Sequence, residues 1–212
     1  MSDRKTSYAV AIAAFIAWFA VVAQYVLMLE NRVAPVLETT IRFFSFFTIL
    51  SNTLVACYFS GLLTKKLPWS RWVCKKGVLT AITVYILVVG LVYQLVLRRI
   101  WQPEGLQLLV DELLHSVIPL YVLLFWFWKE RAEQLPWKYM LTGLIYPFTY
   151  LFFILIRGSA ANFYPYPFLD LNQLPWQSVL SNIAALIILF VFLFFSFISL
   201  SRILFKRNYS SS

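Results

Sequence analysis

Apolar residues come in six long runs along this chain, separated by short polar or proline-bearing segments. The runs fall at roughly 7–29, 42–63, 78–97, 108–128, 139–157 and 178–205. Most are close to the ~20 residues that a helix needs to cross a ~30 Å hydrocarbon layer. A segment in lipid must satisfy its own backbone polar groups, so each run is expected to be helical. The pattern predicts an all-α, polytopic membrane protein: one transmembrane domain over residues 1–212, a bundle of six transmembrane helices. The first run is too long for the apolar core of a signal peptide and lacks a clear small-residue cleavage site, so it is kept as a span.

Composition agrees, with 61% hydrophobic and only 13% charged residues. The net charge of +9 would suit a nucleic-acid binder, but no basic helix or aromatic-basic module is present. Instead, thirteen of the eighteen Lys and Arg fall in the N-terminus, loops 65–77 and 129–138, and the C-terminus. That asymmetry sets both termini in the cytoplasm. Trp69, Trp72, Trp128 and Trp137 mark the inner interface; Trp101, Tyr164, Tyr166 and Trp176 mark the outer one. Cys57 and Cys74 show no disulfide or metal spacing, and one histidine argues against zinc or a bis-histidine haem. No metal or cofactor is expected. The bilayer and its lipids are the expected partners, and a homodimer is compatible with six spans.

Polar residues inside the runs carry the chemistry. His115 is the only histidine, one turn past Asp111, in the fourth run. Ionisable side chains in a span are expensive and usually functional. The second run carries Arg42, Ser45, Thr48 and Asn52. On one continuous helix, Ser45, Thr48 and Asn52 fall within an arc of ~60°. At ~1.5 Å per residue, Thr48 and His115 lie roughly 9 and 10 Å below the outer surface. Gln24, Gln94, Asn182 and Arg157 share that half of the bundle, which predicts an outward polar pocket. The segment GSAANFYPYPFLDLNQLPWQ would roof it, its prolines and glycine breaking any helix. Asp111 or Glu112 would orient the His115 ring. Structural roles compete: Thr48 bonding the carbonyl one turn back, Ser45 and Asn52 joining helices, Arg42 and Arg157 anchoring at the interface.

Three short motifs, RFFSFFTILSN, LLHSVIPL and YPYPFLD, resemble those of the androgen-induced gene family. The likeness extends over most of the chain through the order and spacing of these motifs. It implies six spans and, for the animal members, a threonine hydrolase acting on fatty acid esters of hydroxy fatty acids. By that resemblance Thr48 is the nucleophile, His115 the base, and Tyr166 to Asp170 the loop motif of the site. Ser51–Asn52 departs toward the style of bacterial relatives, which implies a bacterial plasma (inner) membrane. The expected mechanism has Thr48 attack an ester carbonyl while His115, oriented by Asp111, takes its proton. Asn52 or Ser45 would stabilise the oxyanion, Arg157 or Arg42 would hold a substrate carboxylate, and Glu112 would flank the site. The alternative expectation is a non-enzymatic lipid-binding or transport protein using the same pocket.

Overall fold

A computed structural model describes residues 2–64, 66–129 and 135–210, with side chains described from residue 6 to residue 205. Arg4, Lys5, Lys65, Arg131, Lys206 and Arg207, part of the charge asymmetry, lie outside the described side chains. Among the described residues the regular structure is helical throughout, with no strand. The helices are α1 (Ser2–Glu30), α2 (Val36–Phe43), α3 (Phe47–Leu63), α4 (Ser70–Val73), α5 (Val78–Leu95), α6 (Gly105–Glu112), α7 (Ile118–Lys129), α8 (Lys138–Ala161) and α9 (Trp176–Ser210). Among the described residues, five stretches are long and apolar enough to cross a membrane, or six if α2 and α3 count as one bent span.

The second apolar run is not the continuous helix expected. It breaks at residues 44–46, and α2 meets α3 at 72°. Phe46 adopts an extended conformation (ψ 125°) that no helix can carry through. Side chains repair the broken ladder, as a low-dielectric surrounding demands. The Ser45 hydroxyl donates to the Ile41 carbonyl at 2.7 Å, and the Tyr150 hydroxyl donates to the Ser45 carbonyl at 2.9 Å. Ser45 therefore stands before α3, and the shared helical arc with Thr48 and Asn52 is lost.

The fourth run is α6 and α7 joined by a π-helical turn, Leu113–Val117. Pro119 lies four residues past His115 and has no N–H to offer its carbonyl. A wider turn accommodates that defect; Ile118 N–H bonds back to the Leu113 carbonyl. The neighbouring helix α5 meets this turn at Gly90, where a Cβ would stand 3.0 Å from the His115 carbonyl oxygen.

Helix α5 is the centre of the bundle, packed by α3, α7, α8, α9 and the π turn. Its core side chains Val84, Ile86 and Ile82 are fully or almost fully buried, and the Trp126 indole of α7 donates to Thr80 Oγ1 at 2.8 Å. Helix α8 is peripheral: its most apolar window is 22% buried, against 61% for α5. Large apolar side chains such as Phe15, Phe152 and Ile188 point outward. Helix α8 also runs further than expected, through Gly158 to Ala161, and ends on Asn162 in the left-handed conformation (φ 50°). Gly158 therefore does not break the helix; its missing side chain admits the Tyr164 ring instead.

The connection after Asn162 folds on its own side chains. Asp170 accepts from the Asn172 N–H at 2.8 Å and from the Gln173 amide at 2.9 Å, while Asn182 of α9 donates to the Phe168 carbonyl at 2.8 Å. These bonds hold a 3₁₀ turn, Pro167–Leu169, with Tyr166 immediately before it.

Candidate functional site

Thr48 is the second residue of α3, so the break at residues 44–46 puts a helix start beside its hydroxyl. His115 comes from the π turn of the neighbouring segment. Thr48 Oγ1 and His115 Nε2 stand 3.4 Å apart, with the residues 7% and 9% exposed. The other ring nitrogen, Nδ1, is 2.9 Å from the Asp111 carbonyl oxygen. A carbonyl can only accept, so Nδ1 carries the proton and Nε2 presents a lone pair to Thr48. Tyr93 stacks on the imidazole face, with centroids 4.1 Å apart and planes 14° off parallel.

Asp111 thus orients the ring through its main chain and not through the carboxylate expected for that role. Its Oδ1 lies 4.0 Å from Nδ1. The π turn brings the carbonyl into the nearer position, and other donors occupy the carboxylate: Trp101 Nε1 at 2.7 Å, with Tyr93 OH and Gln107 Nε2 each at 3.4 Å.

The remaining expected residues separate. Asn52 is fully buried beside Thr48, but its amide donates to the Thr48 carbonyl at 2.9 Å and the Leu114 carbonyl at 3.3 Å, leaving no N–H for an oxyanion. Ser45 Oγ is committed to Ile41, as above. Glu112 pairs with Arg98 and accepts from Ser116 Oγ at 2.6 Å. Arg42 and Arg157 both bind Glu38, at 2.8 and 2.9 Å, and both lie over the Phe163 ring. They form a separate cluster; Phe46, edge-on to both Phe163 and Tyr166, links it to the Thr48 surroundings.

Tyr166 is no interfacial anchor. It is 8% exposed, and its hydroxyl lies 3.2 Å from the Thr48 N–H nitrogen and 3.4 Å from Thr48 Oγ1. Phe168 stacks on its ring with planes 10° apart. Burial raises the Tyr166 phenol pKa above its ordinary value. The Tyr150 hydroxyl lies beside that of Tyr166. Neither Tyr93 nor Tyr150 stood out in the sequence; each reads there as one aromatic among many in an apolar run.

Beside Thr48 lies a partly open cavity that His115 does not line. Phe47 and Thr48 of α3, Val88 and Val92 of α5, Pro147 and Phe148 of α8, Leu186 and Phe190 of α9, and Tyr166 and Phe168 of the loop line it. Its walls are apolar apart from the hydroxyls at the Thr48 end. No protein-family model, curated protein or solved structure matches this chain.

Proposed function

We propose that this chain is an intramembrane lipid ester hydrolase that uses Thr48 as nucleophile and His115 as base. One observation carries the reading: a buried hydroxyl faces a histidine nitrogen that a carbonyl keeps unprotonated, at the edge of an apolar cavity. A hydroxyl with a base in reach, the base itself oriented by a third group, is the arrangement that nucleophilic acyl transfer needs. A separation of 3.4 Å is loose, as resting sites often are.

In the reaction, Thr48 Oγ1 bonds to the ester carbonyl carbon as its proton passes to His115 Nε2. The carbonyl pair moves onto oxygen. When it returns, the bond to the leaving alcohol breaks and that alcohol takes the proton from His115. Water then attacks the acyl-threonine by the same route, releasing the acid. The cavity holds the acyl chain, and the Asp111 carboxylate stabilises the imidazolium. In this reading α2 and α3 form one bent span among six, both termini are cytoplasmic, and the host is a bacterial plasma membrane. The likeness to the androgen-induced gene family names fatty acid esters of hydroxy fatty acids as substrates to try first.

The test uses the full chain in nanodiscs. Hydrolysis of such esters, with covalent fluorophosphonate labelling mapped to Thr48, is expected for the wild type. Thr48→Ala and His115→Ala are each expected to abolish turnover without loss of folded protein. Wild-type turnover in both variants would refute the reading. Saturable binding of a fatty acid or transbilayer flux with no hydrolysis and no adduct would favour the lipid-binding alternative, for which the cavity's apolar walls are the supporting observation.

A further inference from the structure

We infer that Tyr166 is a catalytic residue of this site: its phenol O–H and the Thr48 backbone N–H together stabilise the oxyanion. The inference rests on the hydrolase reading above and deepens it. The tetrahedral intermediate carries its negative oxygen on the carbon bonded to Thr48 Oγ1. That oxygen is a geminal neighbour of Oγ1 and arises within reach of donors already packed around it. Two such donors exist. The Tyr166 hydroxyl is 3.4 Å from Oγ1, and the Thr48 N–H stands at the first turn of α3, unused by the helix and directed at the Tyr166 oxygen at 3.2 Å. A nucleophile that lends its own N–H to the oxyanion has precedent in serine proteases. The positive end of the 17-residue helix α3 adds to the same field.

The side chains expected to do this work are unavailable, since Asn52 and Ser45 spend their donors on carbonyls. The phenol remains a donor because burial keeps it protonated. It is also held in place. Phe168 stacks on one face, Phe46 meets the ring edge-on, and the Tyr150 hydroxyl, fixed by the Ser45 carbonyl, backs its oxygen. In the resting site the Tyr166 oxygen accepts the Thr48 N–H. On attack the oxyanion replaces it as acceptor, and the phenol turns to donate. Its proton stays on the phenol throughout; the transferred proton moves only between Thr48, His115 and the leaving alcohol.

The test is Tyr166→Phe in the full chain in nanodiscs. The expected result is a fall of about 100- to 1,000-fold in kcat with KM nearly unchanged. A trifluoromethyl ketone bearing the acyl chain, which forms a hemiketal with Thr48, is expected to lose affinity by a similar factor. The matching ether, which forms no adduct, is expected to keep its affinity. A kcat within fivefold of wild type, or equal losses for ketone and ether, would overturn the inference; the second result would mean that Tyr166 only holds the loop. If the Phe variant does not fold, 3-fluorotyrosine at position 166 supplies a stronger donor of nearly the same shape. The ketone-to-ether affinity ratio is then expected to rise, and an unchanged ratio would overturn the inference. A dead Thr48→Ala beside an active Tyr166→Phe removes the oxyanion role alone; an active Thr48→Ala removes the hydrolase reading beneath it.

Discussion

Gly90→Ala separates the geometry of the site from the stability of the bundle. The added methyl would stand 3.0 Å from the His115 carbonyl oxygen and 3.3 Å from Pro119 Cβ. An ordinary C···O contact is about 3.3–3.6 Å, so the π turn must retreat by roughly 0.3–0.6 Å. The obstacle is backbone, so no side-chain rotation relieves it. His115 moves with the turn, away from α5. A misplacement of 1 Å can cost about 100-fold in rate; scaled in proportion, this shift costs about 4- to 16-fold in kcat. Stability is pulled both ways, because alanine favours the helix interior by about 1 kcal/mol over glycine while the contact opposes it. Melting temperature is therefore expected to change little. Gly61→Ala is the control. Its methyl would also meet a neighbour at 3.0 Å, but that neighbour is the Val73 side chain, beyond the reacting groups. The assay is ester turnover beside thermal unfolding for both variants. Wild-type kcat in Gly90→Ala, or equal rate losses in the two variants, would refute the claim that α5 sets the position of His115.

Asp111→Asn is expected to keep the ring orientation, because the Asp111 carbonyl supplies that bond, and to lose rate through the missing charge and an acceptor lost to Trp101, Tyr93 or Gln107. It should therefore retain more activity than His115→Ala, and equal inactivity would place the carboxylate back in the orienting role. Tyr85→Phe removes a buried hydroxyl that donates to the Gly143 carbonyl at 2.6 Å; thermal or denaturant unfolding is expected to report a loss of about 1–2 kcal/mol. Gly158→Leu drives a side chain into the space of the Tyr164 ring. It is expected to displace the loop that carries Tyr166 and to lower turnover while leaving the helices intact by circular dichroism. Glu38→Gln leaves Arg42 and Arg157 facing one another without their shared carboxylate, and a lower melting temperature is expected. Unchanged melting would mean that the two guanidinium groups are balanced by solvent or lipid.

Helix positions were legible because lipid tolerates few residue types, and runs of that composition have one structural solution. The proximity of Thr48 and His115 could be anticipated from depth along two spans. Neither local defect that builds the site could be read in advance. The break at residues 44–46 contains no glycine or proline; it is held by Ser45, Tyr150 and Tyr166, the last two more than 100 residues away in the chain. The π turn has a local cause in Pro119, but proline in a membrane helix is compatible with several distortions. Asp111 shows the consequence: four-residue spacing brought it beside His115, yet the altered turn put its carbonyl, not its carboxylate, on the ring. Arg42 pairs with Glu38 at ordinary four-residue helical spacing, but Arg157 joins them because the fold brings α8 to α2, a contact that no periodicity encodes.

The loosely enclosed wall of the cavity has a kinetic consequence. Phe148, 45% exposed, lines the cavity from α8, the least buried of the long helices. In the hydrolase reading proposed above, a hydrophobic substrate entering past that wall need never dissolve in water. Its effective concentration is its mole fraction in the surrounding lipid, so diluting it with inert phospholipid should slow turnover even when the bulk molarity is unchanged.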